Sequence, residues 1–445
     1  MNTEREFQKE LLQTALPVTL QCLIQSSFSV IDQIMTGQLG SVSIAGIGLG
    51  GKFASLFSVM ISAVAAAAGI MIAQYIGKKD HRGAGRSFWT NLAVVIILAL
   101  IFAGGAFFCP AKIMSLYTKE KATVQAAVKY IHIYAISFFP AAVIAVASSY
   151  LRCVQAARLA LYGGICGIVL NTVLNYLLIF GHMGFPAMGV EGAAWASVLA
   201  QCISCLLLLS LLERKRQACG WHIPFILSSE KAEMRQYLGI LIPIFVCEFF
   251  WGLGENVYAV IYGHMGTVSL AAMTLTGSIQ MLVTGALSGV AQAAGVMMGK
   301  QLGADRWECA YRDGKKLMLT GLCGSLFLSV MVAVISGWHV RLFQVEENVR
   351  ETARMLLRVY ALVAPVKIQN MILGGGILRS GGKTKYVMAV DLIGTWLFGV
   401  PMGLAAAFFF HLPVPAVYFI LSLEEGVRFV ISLAVFKKKI WMQRL

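Results

Sequence analysis

The sequence predicts an all-α integral membrane protein of twelve transmembrane helices, in two six-helix lobes related by pseudo-two-fold symmetry along the membrane normal. Three observations predict it: the composition, the spacing of the apolar runs and an internal repeat. Hydrophobic residues make up 58% of the 445 and charged residues 13%, with a mean hydropathy of +0.76. A soluble domain carries roughly 25% charged residues. A soluble fold of this size could not hide so much apolar surface, so the solvent of the helices is lipid. The 44 glycines agree, because glycine lets membrane helices approach closely.

The apolar runs fall near 12–36, 46–76, 87–108, 126–151, 159–180 and 190–212, then near 237–262, 270–298, 315–337, 352–378, 386–408 and 414–436. Each is long enough to cross a hydrocarbon core of ~30 Å as a helix. They are continuous rather than alternating, which argues against a β-barrel. The first ten residues are polar and lack the features of a signal peptide, so they read as a cytoplasmic lead-in to the first span. A basic connector, Glu213 to Arg235, separates the sixth run from the seventh. Lobes of 1–220 and 221–445 follow.

The net charge of +15 would suit a nucleic-acid partner, but the basic residues sit in short loops between apolar runs. With the N-terminus inside, 25 Lys and Arg fall in inner segments, Arg379, Lys383 and Lys385 among them, and 8 in outer segments. That asymmetry places both termini in the cytoplasm of a multi-pass protein of a bacterial inner membrane. Cys202 and Cys205 form a C-x-x-C inside an apolar run, with no second pair at zinc spacing. They read as helix packing.

The halves repeat at a constant offset of 226 residues. Pro17 meets Pro243, Gly37 meets Gly263, Gly40 meets Gly266, Gly69 meets Gly295, Gly77 meets Gly303 and Arg86 meets Arg312. Between 37 and 86, 18 of 50 positions are identical to their mates. Leu116, Glu120 and Tyr134 meet Leu342, Glu346 and Tyr360 at the same offset. Six helices per half put both halves into the membrane the same way round, as in parallel-repeat transporters. Two such bundles imply a central cleft opened to alternate sides, and hence a secondary transporter.

Functional residues are sought among the polar exceptions, because an ionisable side chain within a span is costly and faces a cavity or a partner. Asp32 lies deep in the first span beside Val30, Ile31, Ile34 and Met35. A carboxylate in that setting takes up a proton or a cation. Asn171 and Asn175, four apart in the fifth span, share a helix face, and Ser197 of the sixth could add a hydroxyl. The competing reading is interhelical hydrogen bonding. The repeat breaks at this site, since Asp32 meets Tyr258. The seventh span instead carries Glu248 and Glu255 on one face, candidates for a cationic substrate or a proton. Lys52, Lys367 and Asp391 are further intramembrane charges, read as cavity candidates or as partners of those acids. Glu424 and Arg428, also four apart, read as a structural pair.

Two motifs are set aside. The glycines of 46–51 have dinucleotide-loop spacing but open a long apolar helix and follow no strand. Residues 381–384, GGKT, resemble the end of a P-loop without its first glycine. No ATPase domain is seen, so an ion gradient supplies the energy.

Together these residues resemble the multidrug and toxin extrusion (MATE) family. The stretches that carry the resemblance are Pro17…Asp32…Gly37-x-x-Gly40, the repeated glycine spacing at 69–77 and 295–303, Asn171-x-x-x-Asn175, and 374–401. The last of these, with 248–254, resembles the DinF-like branch. The resemblance implies cation-coupled antiport that exports organic, often cationic and amphipathic compounds by alternating access, with no enzymatic activity and no cofactor beyond the coupling ion. It implies that Asp32 is the coupling residue, with Asn171, Asn175 and Ser197 beside it. Where the ion is Na⁺, Asp32, Asn171 and Asn175 are the expected ligands. Relatives often have Asp where Asn175 stands, which leaves H⁺ and Na⁺ both open. The expected partners are small-molecule substrates and the bilayer, with a monomer as the working unit. The alternatives are a flippase of lipid-linked precursors from the same superfamily and, more remotely, a membrane-embedded enzyme. Ion coupling is expected in the N-terminal lobe.

Overall fold

The computed structural model describes residues 2–37, 39, 41–117, 120–219, 231–341 and 346–443. The proposed lobe boundary at 220–221, Gly40, Leu342 and the outer Lys119 lie outside the described residues. Among the described residues the chain is helical, and every apolar run of the sequence lies within a long helix. In chain order these are α1 (Asn2–Gly37), α2 (Ser41–Gly77), α3 (His81–Phe108), α4 (Lys121–Cys153), α5 (Ala157–Phe180) and α6 (Gly189–Cys219). The second set is α7 (Lys231–His264), α8 (Thr267–Gly303), α9 (Trp307–Arg341), α10 (Glu347–Leu378), α11 (Thr384–Phe409) and α12 (Val414–Lys437).

Ten of these have the length and apolar composition of membrane spans among the described residues. The other two are long enough but more polar: α1 opens with Glu4, Arg5, Lys9 and Glu10, and α12 carries Glu424, Glu425 and Arg428. The helices outrun the apolar stretches because polar residues continue their ends. Asp80, for example, caps α3 by accepting from the Gly83 backbone N–H at 2.9 Å. Pro17 in α1 and its repeat mate Pro243 in α7 both lie inside helices. Proline there removes a backbone donor, which a membrane helix tolerates when neighbours satisfy the freed carbonyl. In α10 and α11 the backbone widens into π-helical turns at Met371–Leu378, Ile393–Gly399 and Ala405–Phe409. Such turns are rare and concentrate at functional sites.

The helices group into two compact units. One comprises Leu23–Ile72 and Asp80–Met234. Here α5 and α6 pack along small residues: Ser204 Oγ donates to the Gly163 carbonyl at 2.7 Å, and Gly167 faces the same serine. Close approach through small residues replaces the hydrophobic drive that lipid cannot supply. It also aligns the polar faces of the two helices. Phe53, Phe57, Phe102 and Phe138 form an aromatic cluster among α2, α3 and α4.

The other unit comprises Met1–Cys22, Ala73–Lys79 and Arg235–Leu445. Its core runs through α8, α10 and α12, with Phe7, Leu11 and Ala15 of α1 packed into it. At one end α2 and α8 cross closely. A Cβ on Gly77 would lie 2.1 Å from the Lys300 carbonyl oxygen, and one on Gly303 would lie 2.0 Å from that of Gln74. Gln74 and Lys300 are themselves repeat mates, so the contact is reciprocal. The Gln74 amide donates to the Ser380 carbonyl at 2.7 Å, and Lys300 pairs with Glu10 at 3.4 Å.

Candidate functional site: a polar chain around Asp32

Asp32 lies one turn before the end of α1 and is half-buried. The Asn175 amide of α5 donates to its Oδ1 at 2.5 Å. The same amide nitrogen donates to Asn171 Oδ1 at 3.3 Å, and Asn171 Nδ2 donates to Ser197 Oγ at 3.2 Å. Ser197 passes its own proton to the Ala193 carbonyl at 3.1 Å. All four residues singled out in the sequence therefore meet in one chain of hydrogen bonds. The i, i+4 spacing of the asparagines puts them on one face, and the close α5–α6 packing puts Ser197 opposite.

The chain leaves one group over. Asn175 is buried, both its amide protons are directed to partners, and its Oδ1 has no hydrogen-bond partner among the described residues. A buried amide oxygen without a partner costs about 1–3 kcal/mol. Beside a carboxylate, such an oxygen is a ligand for a hard cation, which prefers carboxylate, carbonyl and water oxygen. The donor set therefore fits a cation as well as a proton.

Two residues of this site were not found by sequence reasoning. The Tyr130 hydroxyl hydrogen-bonds Ser197, and both Tyr130 and Tyr134 of α4 lie within electrostatic range of Asp32. Their rings stack at 5.2 Å. Gly50 makes room for them, since a Cβ there would sit 2.4 Å from the Tyr130 ring, and Gly46 does the same against Ala126. Gly46 and Gly50 thus serve helix approach. The usable signal was the i, i+4 pair of tyrosines in a span.

The C-terminal candidates fall in a second polar network, in the other unit. Arg379 binds Glu248 at 2.9 Å and approaches Asp391 at 3.9 Å. Arg428 binds Glu424 at 2.9 Å and Thr395 at 2.7 Å, and approaches Asp391 and Glu425, each at 3.7 Å. Asn370 donates to Glu425 at 2.8 Å, Tyr258 donates to Glu424, and Cys247 donates to Asp391 at 2.7 Å. Glycines again supply the room: a Cβ on Gly394 would lie 2.3 Å from Arg428, and one on Gly399 would lie 2.3 Å from Glu424.

Several readings change here. Glu424 and Arg428 do pair, but within a cluster that also holds Glu425. Asp391 pairs with arginines rather than with the lysines considered for the acids. Arg379, counted among the inner-loop cations, turns inward at the end of a π-helical turn and is mostly buried, with 15% of its side chain exposed. The Ser-Gly-Gly-Lys that follows it marks a loop and gave no hint of a partner 131 positions away. Lys367 and Glu255 lie within electrostatic range of each other. Lys52 is exposed on α2, in the other unit.

Comparison with known proteins agrees with the architecture. The MatE family model matches residues 17–177 and 243–404, two segments that begin 226 residues apart. The "Uncharacterized transporter YisQ" of Bacillus subtilis is 21% identical over 96% of this chain and 94% of its own. The "Probable multidrug resistance protein NorM" of Bacillus licheniformis is 23% identical over 90% of this chain and 88% of its own. A mutant of the Vibrio cholerae MATE transporter VcmN superposes with a TM-score of 0.89 at 16% identity, covering 99% of this chain and 98% of that one. Proteins of this family are cation-coupled transporters, not enzymes. With matches in both repeats, over well more than half its length, the chain is a multi-pass membrane transporter of the MatE family.

Proposed function

We propose that this transporter is an antiporter that exports organic, cationic or amphipathic compounds in exchange for H⁺ or Na⁺, with Asp32 as the coupling residue. The observation that carries the reading is the contact of Asp32 with Asn175 beside the unpartnered Asn175 Oδ1. Neutralising Asp32 by a proton or cation changes which partners it prefers. Asn175 passes that change to Asn171 and Ser197, and so to the packing of α5 on α6. An ion and a substrate that prefer different states then drive each other across. The names of relatives such as NorM support multidrug export, and stretches 248–254 and 374–401 support the DinF-like branch.

In the same reading the lobes are 1–220 and 221–445, a single chain suffices, and both termini face the cytoplasm. The charge asymmetry of the loops supports this orientation. Cysteines placed at Lys383 and at Lys112 would then label from opposite sides of sealed vesicles.

The decisive experiment is efflux from proteoliposomes under an imposed pH or Na⁺ gradient. Asp32→Asn is expected to abolish gradient-driven transport while leaving substrate binding measurable. Transport equal to wild type would refute the coupling role.

A further inference from the structure

Two ammonium groups from different segments meet over one aromatic ring. Lys315 Nζ of α9 lies 4.4 Å from the centroid of the Tyr311 ring, and Lys439 Nζ, just past the end of α12, lies 4.9 Å from it. The two cations are therefore closer than a Debye length of ~10 Å at 0.1 M salt, and they repel each other. Both side chains are exposed, and among the described residues no carboxylate pairs with either. The ring attracts each of them but supplies no net negative charge.

The arrangement is built into the fold. Phe436 of α12 stacks on Tyr311 at 4.9 Å, and Trp441 stacks on Phe436 at 5.7 Å. Trp441 is buried, and a Cβ on Gly381 would lie 1.7 Å from its carbonyl oxygen. Lys439 adopts the left-handed conformation that turns a chain back at a helix end, with φ 56°. The segment after α12 is thus packed down, which fixes where Lys439 stands. The same helices carry a groove. It has a volume of about 330 Å³ and lies among Met318, Leu319 and Leu322 of α9, Pro365 and Val366 of α10 and Phe429 of α12. Tyr311, Lys315, Leu319 and Leu322 follow at three- and four-residue steps on one face of α9, and Phe429 and Phe436 stand seven apart on one face of α12. The groove therefore begins about one helical turn, ~5.4 Å, from Lys315. Gln369, also at its wall, turns its amide to the Met318 carbonyl at 2.8 Å. Leu319 and Leu322 are exposed, so the groove is open at the surface of a membrane span.

Two converging cations call for an anion, and an apolar groove open to lipid calls for a hydrocarbon chain. A free phosphate satisfies only the first, and a lipid without net charge only the second. A phospholipid with a net negative headgroup satisfies both, because it joins the phosphate to the chain in one molecule. Basic pockets between membrane helices bind such headgroups. We propose that Lys315 and Lys439 hold the phosphate of an anionic phospholipid whose acyl chain lies in the groove of α9, α10 and α12. The lipid then bridges α9 to the segment after α12, where no protein acid does so among the described residues. In the orientation proposed above, it comes from the inner leaflet. Asp32 belongs to the other unit, so the site stands independently of the coupling reading.

The test is lipid binding by the purified transporter in a neutral detergent, followed by native mass spectrometry during titration. Three probes are used. Dioleoyl phosphatidylglycerol carries the anion and the chains, dioleoyl phosphatidylcholine has the same chains on a head without net charge, and glycerol 3-phosphate has the anion without chains. Wild type is expected to bind the first phosphatidylglycerol about tenfold or more tighter than phosphatidylcholine, and glycerol 3-phosphate more weakly than either. Lys315→Gln with Lys439→Gln should abolish that preference and leave phosphatidylcholine binding unchanged, while Lys315→Arg with Lys439→Arg should keep it. Leu322→Trp, which fills the groove, should weaken both lipids. Lys383→Gln with Lys385→Gln removes as much basic charge from another loop and should leave the preference intact. Equal binding of the two lipids by wild type would overturn the proposal. So would a preference that survives the loss of Lys315 and Lys439, or one that falls equally with the loss of Lys383 and Lys385. Glycerol 3-phosphate binding as tight as phosphatidylglycerol would reveal a bare anion site and overturn it as well.

Discussion

Tyr258, which stands at the repeat position of Asp32, donates its hydroxyl proton to Glu424. The second half therefore keeps a carboxylate contact at this position but draws the acid from α12. Tyr258→Phe leaves a buried carboxylate oxygen one donor short, which costs about 1–3 kcal/mol. Glu424→Leu removes the acceptor at the other end. The two groups touch, so the double variant should be less destabilised than the sum of the singles, by about 0.5–3 kcal/mol. Melting curves of the four proteins in one detergent would measure this, and strict additivity would refute the coupling.

Arg428 is the hub of the same network. It faces Glu424, Glu425 and Asp391 at once and is almost fully buried, with 8% of its side chain exposed. Arg428→Met leaves three acids without their shared cation, and breaking a buried pair from one side costs about 3–5 kcal/mol. Arg428→Lys should recover only part of this, because a point charge cannot also hold Thr395 in a fork. A lysine variant as stable as wild type would show that charge alone suffices.

Gly77 and Gly303 make the same contact from opposite sides of the repeat. Each lies where a Cβ would strike a backbone carbonyl of the other segment, and backbone cannot swing aside as a side chain can. Gly77→Ala and Gly303→Ala should each destabilise by about 1–3 kcal/mol through overpacking. Reciprocity predicts similar losses. If one substitution is neutral in a thermal melt and the other severe, the crossing is not two-fold.

Much of this was legible in the sequence. The spans appear because lipid forces twenty-residue apolar runs, and the repeat because its glycines recur where helices touch. The Asp32 site was legible because a lone acid in an apolar run and an i, i+4 asparagine pair are both conspicuous. Arg379 was not legible: its neighbours mark a loop, and only the fold turns it toward Glu248. Nor were Tyr130 and Tyr134, since a tyrosine in a membrane helix has many ordinary uses. Contacts between distant segments leave no local trace.

Tyr130 supplies a prediction of its own. It hydrogen-bonds Ser197 and depends on the missing side chain of Gly50 for its place. Gly50→Ala should push the ring aside and weaken coupling without touching Asp32. Tyr130→Phe keeps the ring and deletes only the hydroxyl. If Tyr130 positions Ser197 through that hydroxyl, both variants should alter the ion dependence of transport more than its maximal rate. Unchanged ion dependence in Tyr130→Phe, with a loss in Gly50→Ala, would assign the ring a packing role only.

Asn175 offers the sharpest discrimination between the two candidate ions. Its amide holds Asp32, and its Oδ1 has no hydrogen-bond partner among the described residues. Asn175→Leu removes both and should reduce gradient-driven transport at least about tenfold, a loss of about 1.4 kcal/mol or more in coupling. Asn175→Asp keeps an oxygen but adds a second titratable group next to Asp32. Two adjacent carboxylates resist being ionised together, so the site must hold one more proton or bind a cation more tightly. If H⁺ is the coupling ion, Asn175→Asp should make transport more steeply dependent on the pH gradient and leave it indifferent to Na⁺. If Na⁺ is the ion, the variant should half-saturate at lower Na⁺ than wild type. Flux assays with the two gradients imposed separately distinguish these outcomes, and a variant that matches wild type under both would remove Asn175 from the coupling site.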